Sequence, residues 1–171
     1  MAKLSLAEAV KLKSVLSKRI HELEDEMDRA AFIEVEKGSK LPKQARTLQN
    51  VEQDIEEVRN DFRLLDKLMY QANIENNILL ETDSIPIVEA IELATQLRAQ
   101  ARKCKEYGAA PKEEYVHSFS ETVSIVRTAT FEPETYRVKA IELERRANKL
   151  SNLINAINYT IELEFDSEKY F

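Results

Sequence analysis

The chain has 171 residues, of which 43% are apolar and 33% charged, with a net charge of −6, two glycines and no tryptophan. That is enough apolar material for a sizeable core and too little glycine for a tight-turn fold or a phosphate-cradling loop, so a helix-rich protein with long solvated faces is expected. The acidic balance argues against a general nucleic-acid binder, and no window approaches the roughly 18 to 20 apolar residues that a membrane-spanning helix needs.

Taken from the N-terminus, Met1 to Lys18 carries Lys3, Lys11 and Lys13 among its apolar positions, so no uninterrupted secretory h-region is expected there. Leu16, Ile20, Leu23, Met27 and Ala30 step by four and three along a first helix from about Leu6 to Ala31. After a connector holding Pro42, a second helix keeps a stricter rhythm through Leu48, Val51, Ile55, Val58, Phe62, Leu65, Met69 and Ala72, a heptad pattern suited to coiled-coil packing. A third helix carries Ile91, Ala94, Leu97, Ala101 and Cys104 and stops at Gly108 and Pro111. The fourth carries Leu143, Ala147, Leu150, Ile154, Ile157 and Ile161. Pro86 and Pro133 fall near helix starts, where a missing N–H costs little. Phe32, Ile33 and Val35, and later Phe119, Val123, Ile125 and Val126, are β-branched or aromatic and predict short strands that pair with each other across the two halves.

The halves resemble one another. Leu4 to Arg19 lies over Ile85 to Gln100, matching Glu8 with Glu89, Ala9 with Ala90, Leu12 with Leu93 and Leu16 with Leu97. The expected fold is therefore mainly α, a single helical domain over 1–171 whose pseudo-repeats, about 4–81 and 85–165, are two long antiparallel helical hairpins with a small β element in the connectors. The helix ends are apolar on several sides, among them Leu64, Ile74 and Leu79 in one half and Val88, Leu153 and Phe165 in the other. Such ends need cover on several sides, which predicts a four-helix bundle-like base and, beyond it, a homo-oligomer.

The most specific polar feature is a set of amides at the helix ends, Asn73, Asn76, Asn77, Asn155 and Asn158, with Tyr159 beside them. A paired amide on a core stripe sets register and partner number, so these residues are candidates for structural or interface roles. Metal and catalytic candidates are weaker. Glu114 and His117 form one Glu-x-x-His where a ferritin-like site needs two plus further carboxylates. His21 stands among Glu22, Glu24, Asp25, Glu26 and Asp28, as on a solvated helix face. Lys40, Lys43 and Arg46 form a small basic cluster of the solvated kind. Cys104 is the lone cysteine, which suits a buried thiol in a cytoplasmic protein. No catalytic residue, cofactor or metal is expected.

Several short motifs, in order, resemble a family of small bacterial proteins labelled septicolysin-like: Leu6 to Ala9, Ile74 to Ile78, Glu89 with Ala90, the run Tyr115, Ser118, Ser120, Glu121, and the closing Asn158, Tyr159, Thr160, Glu162, Leu163. The resemblance implies a helical fold with a small β element and no established enzymatic activity. Its label points to a haemolysin-type role, which the absence of a secretion signal and of an inserting segment argues against. The expected function is that of a non-enzymatic cytoplasmic scaffold or interaction protein, self-associating, with no nucleic-acid or membrane partner. The alternatives are a membrane-active, cytolysin-like protein and an RNA-binding helical arm with steep salt dependence.

Overall fold

A computed structural model describes residues 3–116 and 124–170. In chain order it contains β1 (Lys3–Ser5), α1 (Leu6–Ala31), α2 (Leu48–Glu75), β2 (Asn77–Leu80), β3 (Asp83–Pro86), α3 (Ile87–Gly108), β4 (Glu113–Val116), β5 (Ile125–Thr128), α4 (Pro133–Asn158) and β6 (Glu162–Glu164). The protein is mainly helical, and its chain divides into two compact units, Met1–Asn76 with Ile157–Phe171, and Asn77–Ala156.

In the first unit α1 and α2 form an antiparallel hairpin. Ser5 caps α1 through a capping box: its hydroxyl accepts from the Glu8 N–H, and Glu8 Oε2 accepts from the Ser5 N–H at 2.9 Å. Thr47 and Asn50 repeat the arrangement at the start of α2. Leu12, Leu16 and Leu23 on one helix and Val51, Ile55, Val58, Leu65 and Ala72 on the other are buried, as their three-and-four spacing requires. Ion pairs run along the seam: Lys13 with Asp66, Arg59 with Glu24 at 2.9 Å and Arg46 with Glu26 at 2.8 Å. The base of this hairpin is closed by the ribbon of β1 and β6, antiparallel with Leu4 opposite Leu163, and by a bond from Leu6 N–H to Ile161 O at 2.9 Å. Leu4, Ile161, Leu163 and Phe165 are buried with it.

In the second unit β2 and β3 pair antiparallel with Ile78 opposite Ile85, and Pro86, at the N-cap of α3, ends the ribbon where the helix begins. Helices α3 and α4 run antiparallel, with Arg98 bonded to Ser151 at one level and Tyr107 against Tyr136 at another. Their buried residues are Ile87, Ala90, Ala94, Leu97, Ala101 and Cys104, then Ala140, Leu143, Ala147, Leu150 and Ile154. Pro133 is the first residue of α4, where its missing N–H is harmless.

Three expectations need correction. Phe32, Ile33 and Val35 form no strand but an exposed irregular connector, and β5 pairs with β4 instead, Tyr115 opposite Val126. A hairpin closed within one connector costs less loop entropy than pairing across the chain. Phe119 and Val123 lie outside the described residues. Ile91 is exposed, because Ile87 opens α3 and sets the buried stripe on Ala90 and Ala94, leaving Ile91 to one side. Among the apolar helix ends, Leu64, Ile74, Val88 and Leu153 keep substantial exposure, off the buried stripe of their own helix, and Leu79 stands on the exposed face of β2, opposite to the buried Ile78.

Candidate functional site

The amides singled out in the sequence occupy the ends of α2 and α4, and the structure gives them distinct tasks. Asn76 is the C-cap of α2: its Nδ2 donates to Ala72 O at 2.8 Å while its backbone N–H donates to the same carbonyl at 3.1 Å. The side chain therefore adds a second bond to a helix-end carbonyl that the backbone already engages. Asn73 is half-buried on the last turn of α2, and Asn77, exposed, opens β2. Asn155 is exposed on α4, and Tyr159 just beyond that helix is 63% exposed. Asn158 is half-buried, and its Oδ1 is enclosed without a hydrogen-bond partner among the described residues. An enclosed amide oxygen of this kind is costly in isolation. Among the described residues no hydrogen bond joins one of these amides to another.

His21 contacts Glu24 at 3.2 Å on an exposed face of α1. The Glu24 carboxyl is held below its ordinary range by hydrogen bonds, first from His21 and then from Arg59. Glu114 lies in the exposed strand β4, while His117, like Ser118, Ser120 and Glu121, lies outside the described residues. Among the described residues no three His, Cys, Asp or Glu side chains converge as metal ligands, and no helix is long and apolar enough to cross a membrane. Cys104 is buried in α3. Lys40 and Lys43 are exposed, and Arg46 pairs with Glu26 and with Asp54 at 2.6 Å.

Two constructions carry no strong sequence signal. In the first unit the C-terminal tail is pinned to the outer side of α2: Lys169 Nζ is 2.6 Å from Asp61 Oδ2 and 3.1 Å from Glu57 Oε1, and the Tyr170 hydroxyl donates to Asp61. The Lys169 ammonium is pushed well above its ordinary range, chiefly by Asp61, and the Tyr170 phenol likewise by burial and then by the bond to Asp61. In the second unit Tyr107, Phe131 and Tyr136 pack mutually with ring centroids 4.9 to 5.5 Å apart. Lys103 stands 5.2 Å over the Tyr107 ring and Lys139 5.7 Å over that of Tyr136, so cations cover the outer faces. Residues at these positions meet from distant parts of the chain, which periodicity does not report.

The architecture is that of an α-hairpin protein with two-stranded ribbons at the helix bases. It resembles a solved structure, the crystal structure of a functionally unknown conserved protein from Corynebacterium diphtheriae, with a TM-score of 0.66 and 18% identity over 95% of this chain and 100% of that one. That likeness establishes the fold alone. No family model matches the chain, and no curated protein does.

Proposed function

We propose that the protein is a non-enzymatic helical interaction protein of the cytoplasm that associates with further copies of itself. The observation that carries this reading is the apolar surface left uncovered beside the amide-bearing helix ends: Ile74 is 61% and Leu79 68% exposed. Large apolar side chains in such numbers at helix ends are the usual mark of an interface, and a two-fold arrangement would let the same surface serve both partners. The exposed Asn77 and Asn155 supply polar groups of the kind that fix register in a helical interface.

The internal duplication belongs to this reading. The order strand, helix, helix, strand occurs as β1–α1–α2–β2 and again as β3–α3–α4–β6, apart from the hairpin of β4 and β5. The shared four-helix base is proposed with it, supported by the burial of Leu6, Ala9 and Leu12 in one half and of Ile87 and Ala90 in the other. Kinship with septicolysin-like proteins is proposed on the motifs from Leu6 to Leu163. The buried single thiol of Cys104 supports residence in a reducing compartment.

Light scattering on the eluting protein tests the proposal. The expected mass is a multiple of 19.8 kDa that falls toward the single chain in Ile74→Glu and Leu79→Glu. A single-chain mass for the wild type at 100 μM overturns it.

A further inference from the structure

The second unit contains a cavity of about 290 Å³ between α3, α4 and the ribbon of β2 and β3. Its floor is made by the buried Leu97 and Leu150 and its walls by Leu79, Leu80, Leu93 and Leu153. Arg146 and Lys149, one turn apart on α4, stand on the same lining, and the ribbon turn contributes Glu81. Neither cation takes part in an ion pair among the described residues. Two cations thus share one lining with six leucines.

We propose that this cavity binds a free medium-chain alkyl carboxylate, with the chain among the leucines and the carboxylate at Arg146 and Lys149. Apolar walls with a few convergent polar groups are what a small-molecule site requires. The charge selects the ligand class: two cations against one carboxylate leave a net positive lip, which attracts an anionic head and repels an ammonium. The size selects the length, since a cavity at the lower end of the roughly 300–1,000 Å³ range of ligand sites admits a chain on the order of eight to ten carbons. The guanidinium of Arg146 presents a planar fork that matches a carboxylate, and Lys149 adds a second point charge. This site shares Leu79 with the proposed self-association surface, and the two are told apart by their readouts, solution mass for association and ligand titration for the cavity.

The test is calorimetric titration of the whole protein with decanoate, octanoate and 1-octanol below their aggregation limits. Decanoate is expected to bind one to one, with octanoate about fifteenfold weaker, as two methylenes at roughly fourfold each imply, and 1-octanol weaker than octanoate. The exposed pair Arg146→Glu with Lys149→Glu is expected to weaken decanoate at least tenfold, while Lys18→Glu in the first unit leaves it unchanged. Because the chain has no tryptophan, Leu153→Trp on the cavity wall supplies a fluorescence reporter that is expected to shift to shorter wavelength with decanoate. Should the charge-reversed variant lose its helical circular dichroism, the reporter decides alone. No heat and no spectral shift at millimolar decanoate overturn the proposal, as does undiminished affinity in a folded charge-reversed variant. Binding to phosphatidylglycerol vesicles without binding of free decanoate also overturns it.

Discussion

Lys169 Nζ lies 2.6 Å from Asp61 Oδ2, so the last residues of the chain are tied to the middle of α2 by an ion pair whose acid is only 19% exposed. The Tyr170 hydroxyl donates to the same carboxylate. Both Lys169 and Tyr170 hold their protons more tightly in the folded protein than in a free chain. A raised folded value means that the stabilisation is fully present below the unfolded value and is lost as pH rises past it. The thermal midpoint of the wild type is therefore expected to fall above about pH 10, where free lysine and tyrosine titrate. The double variant Lys169→Met with Tyr170→Phe should show a flatter profile there, and parallel profiles from pH 8 to 11 would remove the latch from the account.

Gly108 ends α3 against α4. A Cβ at that position would stand 2.7 Å from the Arg137 backbone nitrogen and 2.8 Å from its Cα, and neither atom belongs to a flexible side chain. Gly108→Ala must push α4 away or strain both helices, at about 1–3 kcal/mol. Chemical denaturation measures the cost, and a stabilised Gly108→Ala protein would show that the contact is looser than described. The aromatic cluster of Tyr107, Phe131 and Tyr136 should loosen with it, visible as a reduced near-ultraviolet dichroism.

Leu65 has no exposed surface and sits midway along α2 on the stripe that faces α1. Truncation to alanine removes buried apolar area and leaves a void in a two-helix seam, for a loss of about 2–5 kcal/mol. Leu64, next in sequence but 47% exposed, should lose less than about 1 kcal/mol in the same substitution. Equal losses at both positions would mean that Leu64 is covered in solution.

This contrast shows which parts of the fold could be read from the chain. The α2 stripe was legible because Val51, Ile55, Val58, Leu65 and Ala72 sustain one period over about six turns. In α3 the signal is ambiguous: Ile87, Ala90 and Ile91 all fit a helical stripe, and small alanines won the buried side because they allow close approach. The strands were the illegible part. β1 is three residues with one buried apolar side chain, Leu4, and its partner β6 lies at the far end of the chain, so neither alternation nor a turn residue marks the pair. The β-branched connector Phe32 to Val35 had the right composition for a strand and no neighbour to pair with. Of the candidate amides, Asn76 would fall on the core stripe if the repeat of Phe62, Leu65, Met69 and Ala72 continued, whereas the helix stops there and the side chain caps it. The tail latch and the aromatic cluster depend on contacts between distant segments, which no local pattern encodes.

The capping box of Ser5 and Glu8 offers a cleaner test, because it joins the first ribbon to the first helix. Ser5 is both the last residue of β1, opposite Glu162, and the N-cap of α1. Its hydroxyl and backbone N–H bond the Glu8 carboxylate, and these bonds hold Glu8 below its ordinary range. A depressed carboxyl contributes stability above its unfolded value, and that contribution is lost as pH falls through the folded one. Ser5→Ala is expected to cost about 1 kcal/mol at neutral pH. The Ser5→Ala protein should also lose less stability than the wild type on acidification from pH 6 to 3, because Glu8 then titrates alike in both states. If the two proteins instead lost stability in parallel over that range, Glu8 would not be responding to Ser5, and the coupling of ribbon to helix would rest on the Leu4 and Leu163 pairing alone.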